Sequence, residues 1–184
     1  VGFTAYSATA TPEEVVELLQ VIFGVLEEEC SKHGVEKIKT IGDALMVASG
    51  VSEVSGVSEV SGLYDVAEAE KSIERLADFA CASAEALGSY FRQRELDLSF
   101  RIGLHAGPVI AGVVGRQRRA FDIWGDTVNM ASRLESTGAP GQVRCSQTVR
   151  EVLGDEWLFE DCGGITMKGK GEQQAYILLG RAQG

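Results

Sequence analysis

Apolar positions along the chain fall into segments of two different periods. Thr11-Pro12-Glu13-Glu14 reads as a helix start: Thr11 caps, Pro12 suits the first helical position, and Glu14 closes a capping box. Behind it Val15, Leu18, Leu19, Ile22, Phe23, Leu26 and Cys30 recur on one helical face, and Gly34 stops the helix. Residues 35–40, the turn Ile41-Gly42-Asp43-Ala44, and residues 45–48 read as strand, tight turn, strand. A second helix is expected over about 64–91, burying Ile73, Leu76, Ala80, Ala84 and Leu87 and turning Glu and Lys outward. Strands are expected at 100–106, 109–114 and 120–124; Gly107-Pro108 breaks the first, and a basic turn at 115–119 follows the second. A short helix at 127–136, a loop at 138–141, a strand at 143–145 and a helix capped by Ser146 and running to Leu153 come next. A Gly/Lys turn at 168–171 and a last strand at 175–179 complete the pattern. Strands and helices mix without strict alternation, which predicts an α+β fold: an antiparallel-rich mixed central sheet with helices packed against it.

Length and charge narrow the classes. The chain has 184 residues, the size of one domain spanning 1–184, long enough to bury a core without staples. Residues 51–62 write Val-Ser-Glu-Val-Ser-Gly twice, the composition of a flexible surface loop and too short for a solenoid. The net charge of −10 argues against general binding to nucleic acid or to an anionic membrane. A phosphate substrate would therefore need locally concentrated positive charge or a metal. Cys30, Cys81, Cys145 and Cys162 show no CxxC pairing, and buried free thiols in a reducing, cytoplasmic setting are expected. No apolar run reaches the length of a membrane span. The apolar start at Val1 reads as a cut from something longer, with any sensor, regulatory domain or membrane anchor outside this segment.

Four stretches could carry chemistry. The hairpin tip after Lys39 presents Asp43 on rigid strands yet toward solvent, which suits a divalent cation bound by few protein ligands plus substrate phosphates; Gly-Asp is also ordinary turn chemistry. Val1-Gly2-Phe3-Thr4 is a turn whose backbone N–H groups, just before a helix, could cradle phosphate. Asn129 and Arg133 lie four apart and so share a helix face, an amide and a guanidinium suited to a ribose oxygen and a phosphate gaining charge. The plain alternative is that Arg133 pairs with Glu135 or a neighbouring acid. Lys168-Gly169-Lys170-Gly171 could let the chain approach phosphate closely, or be a solvated turn. His33 and His105 are the only histidines, which all but removes a His-based triad or multi-His metal site, and His105 is expected to be structural, near the sheet end. Neither GxSxG, a Walker-A run nor GxGxxG is present.

Taken together, VGFT, EKIKTIGDALMVASGV, FRIGLHAGPVIAGVVG, FDIWGDTVNMASRLESTGAPGQV and MKGKG, in that order and spacing, resemble the catalytic domains of class III nucleotidyl cyclases, the adenylyl and guanylyl cyclases. Each block is weak alone, but five in sequence across nearly the whole chain are specific. The resemblance implies a ferredoxin-like, palm-type fold. It implies attack of a ribose 3′-hydroxyl on the α-phosphate of the same nucleoside triphosphate, giving a 3′,5′-cyclic monophosphate and pyrophosphate. It also implies a homodimer with sites at the subunit interface and two divalent cations, Mg2+ or Mn2+, per site.

Carried over residue by residue, Asp43 matches the second metal aspartate and Lys39 with Asp122 the base-reading pair. Asn129 and Arg133 match the ribose-orienting and transition-state residues, the backbone at Phe3 and Thr4 the phosphate cradle, and Lys168 the triphosphate lysine, with Lys170 the neighbouring candidate. The family's first metal aspartate falls two positions before Val1. Where the family often has a phosphate-binding arginine, this chain has Gln117 flanked by Arg116, Arg118 and Arg119, and that role stays unassigned. Lysine donates to the ring nitrogen of adenine and aspartate accepts from its amino group, whereas guanine reverses this edge; Lys39 with Asp122 therefore favours ATP over GTP. The alternatives are a guanylyl or mixed-specificity cyclase, or a catalytically silent regulatory module. A diguanylate-cyclase-type relative is disfavoured because no GG[DE]EF-like run occurs.

Overall fold

In the computed structural model the described residues are 1–51, 66–115, 119–167 and 171–182. Of the repeat at 51–62 all but Val51 lies outside them, as do Arg116, Gln117, Arg118, Lys168 and Lys170. The order is α1 (Phe3–Thr9), α2 (Pro12–His33), β1 (Glu36–Ile41), β2 (Ala44–Ala48), α3 (Val66–Gln93), β3 (Ile102–Leu104), β4 (Ile110–Val114) and β5 (Ala120–Trp124). Then come α4 (Asp126–Ser136), β6 (Val143–Ser146), α5 (Gln147–Leu153), a 3-10 turn at Gly154–Glu156, β7 (Trp157–Met167) and β8 (Gly171–Arg181).

The strands form a four-stranded sheet in the order β3-β6-β8-β7 and two hairpins, β1-β2 and β4-β5. Among the described residues only β3-β6 is parallel, so the expected antiparallel-rich α+β arrangement is what the chain adopts. Alternation along the strands sorts the helices onto two faces. Leu104, Cys145 and Leu178 turn toward α3 and α5, where they pack with Ala77, Ala80, Val149, Leu153 and Trp157. Ile165 and Ala175 turn the other way, against Met130 and Leu134 of α4. Cys30, Val35 and Phe79 hold α2 to α3.

Gly103 decides how close α4 can come. A Cβ there would stand 2.1 Å from the Ala131 carbonyl oxygen and 2.4 Å from the Glu135 nitrogen, so the helix backbone rests directly on β3. The Thr11–Glu14 capping box forms in both directions and α2 ends at Gly34, as its sequence predicts.

Several expectations need correction. Phe3 and Thr4 do not lie in an open turn; they begin α1, where Gly2 approaches the Asp97 carbonyl so closely that a Cβ would stand 2.6 Å from it. The strand expected at 100–106 is confined to Ile102–Leu104. Ser146 precedes α5 but does not cap it through its side chain; its hydroxyl meets His105 Nδ1 at 2.7 Å instead. Residues 157–167, read as no element, form β7, and the last strand is longer than 175–179. All four thiols are free; burial pushes Cys30 and Cys81 up to about 11 and Cys145 to about 12, so these three stay protonated at neutral pH.

Candidate active site

The two hairpins meet over a small apolar cluster. Ala48, Val51, Ala111 and Ile123 are buried there, with Ile38, Met46, Val109, Phe121 and Val128 packed around them. Strand β1 carries one extra residue at this point: Lys37 pairs with Val47 and Lys39 with Met46, leaving Ile38 between them. Such a bulge bends a strand and re-aims the side chains beside it. Across the junction Lys39 Nζ donates to Asp122 Oδ2 at 2.6 Å, joining positions 83 apart in sequence. The other carboxylate oxygen, Oδ1, accepts the Ile123 N–H at 2.8 Å.

The Asp122 side chain keeps 16% of its exposure and Lys39 39%, so the pair is sheltered but open on one side. The hydrogen bond from Lys39, reinforced by the Ile123 N–H, holds the Asp122 carboxyl below its ordinary value against a smaller opposing effect of desolvation. A lysine donor beside an ionised acceptor is a bipolar edge. It can pair with a ligand edge that carries one acceptor and one donor.

Beyond Lys39 the hairpin turns at Gly42, whose φ of +63° is the left-handed conformation the tight turn needs. Asp43 follows, exposed, and among the described residues its carboxylate makes no ion pair or side-chain hydrogen bond. No cluster of three or more His, Cys, Asp and Glu gathers among the described residues. An unpaired carboxylate at a rigid tip fits a hard cation whose other ligands are phosphate oxygens and water.

Strand β5 runs through Gly125 into α4, which carries Asn129 and Arg133 on its exposed side. The side chain of Asn129 is without a hydrogen bond among the described residues. Arg133 does not pair with Glu135, which is taken by Arg101 at 2.9 Å. Its Nε instead donates to the Thr166 carbonyl at 3.3 Å, near the end of β7 and two positions before Lys168 in sequence. The guanidinium makes no ion pair with any described carboxylate, so its remaining donors are available to an anion. The structure thus brings Lys39 and Asp122 into contact and sets Asn129 and Arg133 on the helix that follows; Phe3 is half-buried and Thr4 exposed at the start of α1. Sequence reasoning missed the bulge at Ile38, for which the alternation of residues 36–41 gives no signal.

The described cavities lie elsewhere. One of about 360 Å³ sits among Phe91, Arg92, Leu96 and Phe100, and one of about 430 Å³ among Arg150, Trp157, Phe159 and Tyr176. The site residues line neither, and stand on an open surface.

This fold is that of a nucleotide-cyclising catalytic domain: the guanylate cyclase domain of RhGC from Catenaria anguillulae, solved in complex with GTP, superposes with a TM-score of 0.84 at 27% identity, over 99% of this chain and 92% of that one. The chain belongs to the adenylate and guanylate cyclase catalytic domain family, whose sequence model matches residues 1–180. Its relatives fall on both sides of that family. An adenylate cyclase of Mycobacterium tuberculosis is 36% identical over 181 residues, and retinal guanylyl cyclase 2 of Bos taurus 38% identical over 189. Each match covers 98% of this chain, which spans 38% of the mycobacterial protein's length and 16% of the bovine one's. No helix among the described residues is long and apolar enough to cross a membrane.

Proposed function

We propose that the domain is an adenylyl cyclase, converting ATP to 3′,5′-cyclic AMP and pyrophosphate at sites shared between two copies of the chain. The observation that carries the choice of base is the Lys39–Asp122 pair, 2.6 Å apart. Its ammonium donates to the ring-nitrogen acceptor of adenine, and its carboxylate accepts from the adenine amino group. Guanine offers a carbonyl and an N–H in the reverse order and leaves both protein groups mispaired.

Asn129 orients the ribose. Arg133 donates to phosphate oxygens as charge moves onto them, and its guanidinium, anchored through Nε on the Thr166 carbonyl, keeps its terminal donors for that role. The 3′-oxygen forms a bond to the α-phosphorus, the bond to the β-phosphate bridging oxygen breaks, and the hydroxyl proton is released. Lys168 holds the departing pyrophosphate, and the backbone at Phe3 and Thr4 faces the phosphates. Asp43 is the residue that would hold divalent cations of the Mg2+ or Mn2+ kind; these activate the hydroxyl and offset phosphate charge when bound.

Dimerisation is supported by the surface. Ile41 is 56% exposed, Ile110 70%, Val113 55% and Val114 53%, all on the two hairpins that carry Asp43, Lys39 and Asp122. An exposed apolar group of this kind next to an open site fits covering by a second copy. Cyclic AMP and cyclic GMP formation by the purified full-length protein, measured with Mn2+ and each triphosphate in turn, tests the proposal. A preference for cyclic AMP supports it. Preferred cyclic GMP, or nucleotide binding with neither product, refutes it.

A further inference from the structure

Helix α4 begins without a side-chain cap. Its N-cap residue is Gly125, and the first helical bond, from the Asn129 N–H to the Gly125 carbonyl, is long at 3.3 Å. The close contact with Gly103 holds the helix further along, at Ala131 and Glu135. Asn129 therefore stands in the part of the helix most prone to fray. Its neighbours Val128 and Met130 pack into two different apolar clusters, but apolar packing is non-directional and does not by itself fix how the first turn is rotated. A hydroxyl supplies the direction. Thr127 Oγ1 donates to the Pro108 carbonyl, 19 positions earlier in the chain, at 2.6 Å. Glycines leave room for this bond: a Cβ on Gly107 would stand 2.7 Å from the same hydroxyl oxygen, and one on Gly125 would lie 3.6 Å from the Pro108 carbonyl oxygen. Pro108 leads into β4, whose Gly112 pairs with Asp122. The bond thus ties the helix that carries Asn129 to the hairpin that carries Asp122.

We infer that Thr127 is a positioning residue for the cyclisation: its hydroxyl, fixed on the Pro108 carbonyl, sets the first turn of α4 so that Asn129 meets the ribose of a nucleotide whose base is held at Asp122. The inference rests on the reading of Asn129 as the ribose-orienting residue. Thr127 itself touches no substrate and acts through Asn129. The 3′-oxygen has to stand in line with the α-phosphorus, and a small error in its placement costs rate far more than binding.

The test uses the full-length protein, with kcat and KM for ATP and thermal melts of each variant. Thr127→Val keeps the shape of the side chain and removes the hydroxyl. It is expected to lower kcat about 10- to 100-fold and to leave KM within about twofold. Tm should fall by no more than about 4 °C, because the exposed Pro108 carbonyl can bond water instead. Thr127→Ser should restore most of the rate. In an Asn129→Ala background, Thr127→Val should cost less than about a further twofold, since its route of action is already gone. Gly107→Ala, whose Cβ displaces the hydroxyl, should reproduce the loss, and it decides the matter should the valine variant fail to fold. An unchanged kcat in Thr127→Val beside a slowed Asn129→Ala overturns the inference and leaves the reading of Asn129 standing. So does a loss confined to KM, a full further loss in the Asn129→Ala background, or a loss that follows Tm and vanishes at a lower assay temperature. If Asn129→Ala keeps the unmodified kcat, the reading of Asn129 fails and the inference with it.

Discussion

Replacing Lys39 by methionine keeps the length and apolar stem of the side chain and removes its charge. Asp122 then keeps the Ile123 N–H on one oxygen and loses the 2.6 Å donor on the other. Because the pair is partly open to water, its net worth to the fold is modest, about 1 kcal/mol, or about 2–4 °C in Tm for a domain of this size. The effect on turnover should be larger. ATP loses one charge-assisted hydrogen bond, so kcat/KM should fall about 10- to 100-fold. GTP loses a donor that opposed its own ring N–H, so its kcat/KM should hold or rise, and the ATP-to-GTP ratio should drop by at least about tenfold. Stability adds a second readout with a defined sign. Lys39 lowers the carboxyl pKa of Asp122 in the folded state. The stability this contributes is therefore complete above about pH 4 to 5 and lost as pH falls through the lower folded-state value. The Tm difference between the unmodified protein and Lys39→Met should accordingly be constant from about pH 8 to pH 5 and shrink below about pH 4. Initial rates with both triphosphates and thermal melts across that pH range check both parts. An unaltered nucleotide ratio would refute the assignment of the base site, and a Tm difference that grows on acidification would refute the account of the pair.

Asn129→Ala and Arg133→Ala should each lower kcat more than they raise KM, because their contacts strengthen as charge shifts; steady-state kinetics with a loss confined to KM would contradict this. Asp43→Asn should abolish Mn2+- or Mg2+-dependent turnover while leaving the melting curve within about 0.5 kcal/mol of the unmodified protein, since among the described residues the exposed carboxylate has no ion pair or hydrogen bond to lose. Gly103→Ala should destabilise by about 1–3 kcal/mol or more in urea unfolding, because its Cβ meets the α4 backbone rather than a movable side chain.

What the sequence disclosed follows from how local each signal is. The capping box of α2, its apolar stripe ending in Cys30, and the Gly42 turn are set within a few residues, and the structure has them. Helix α1 escaped notice because none of its seven residues is fully buried and its N-cap, Gly2, has no side chain to signal it. Strand β7 was hidden by irregularity: its register shifts between Leu158 and Phe159 and again between Asp161 and Gly164, so the alternation that betrays a strand is broken twice. Ser146 looked like a cap by its type, but a histidine 41 positions away competes for its hydroxyl. Among the site residues, the types and spacing of Lys39, Asp122, Asn129 and Arg133 were readable. That Lys39 reaches Asp122 was not, because it depends on the bulge at Ile38 and on two hairpins meeting.

The bare contact between β3 and α4 sets where control can enter. With main chain against main chain at Gly103 there is no compressible layer of side chains beneath the helix, so Asn129 and Arg133 ride on the sheet as fixtures of one solid block. In the proposed dimer a regulatory signal would therefore gain little by nudging that helix within its own subunit. It would have to tilt or slide whole blocks past one another, and regulation would become a matter of alignment between neighbours rather than of remodelling inside either.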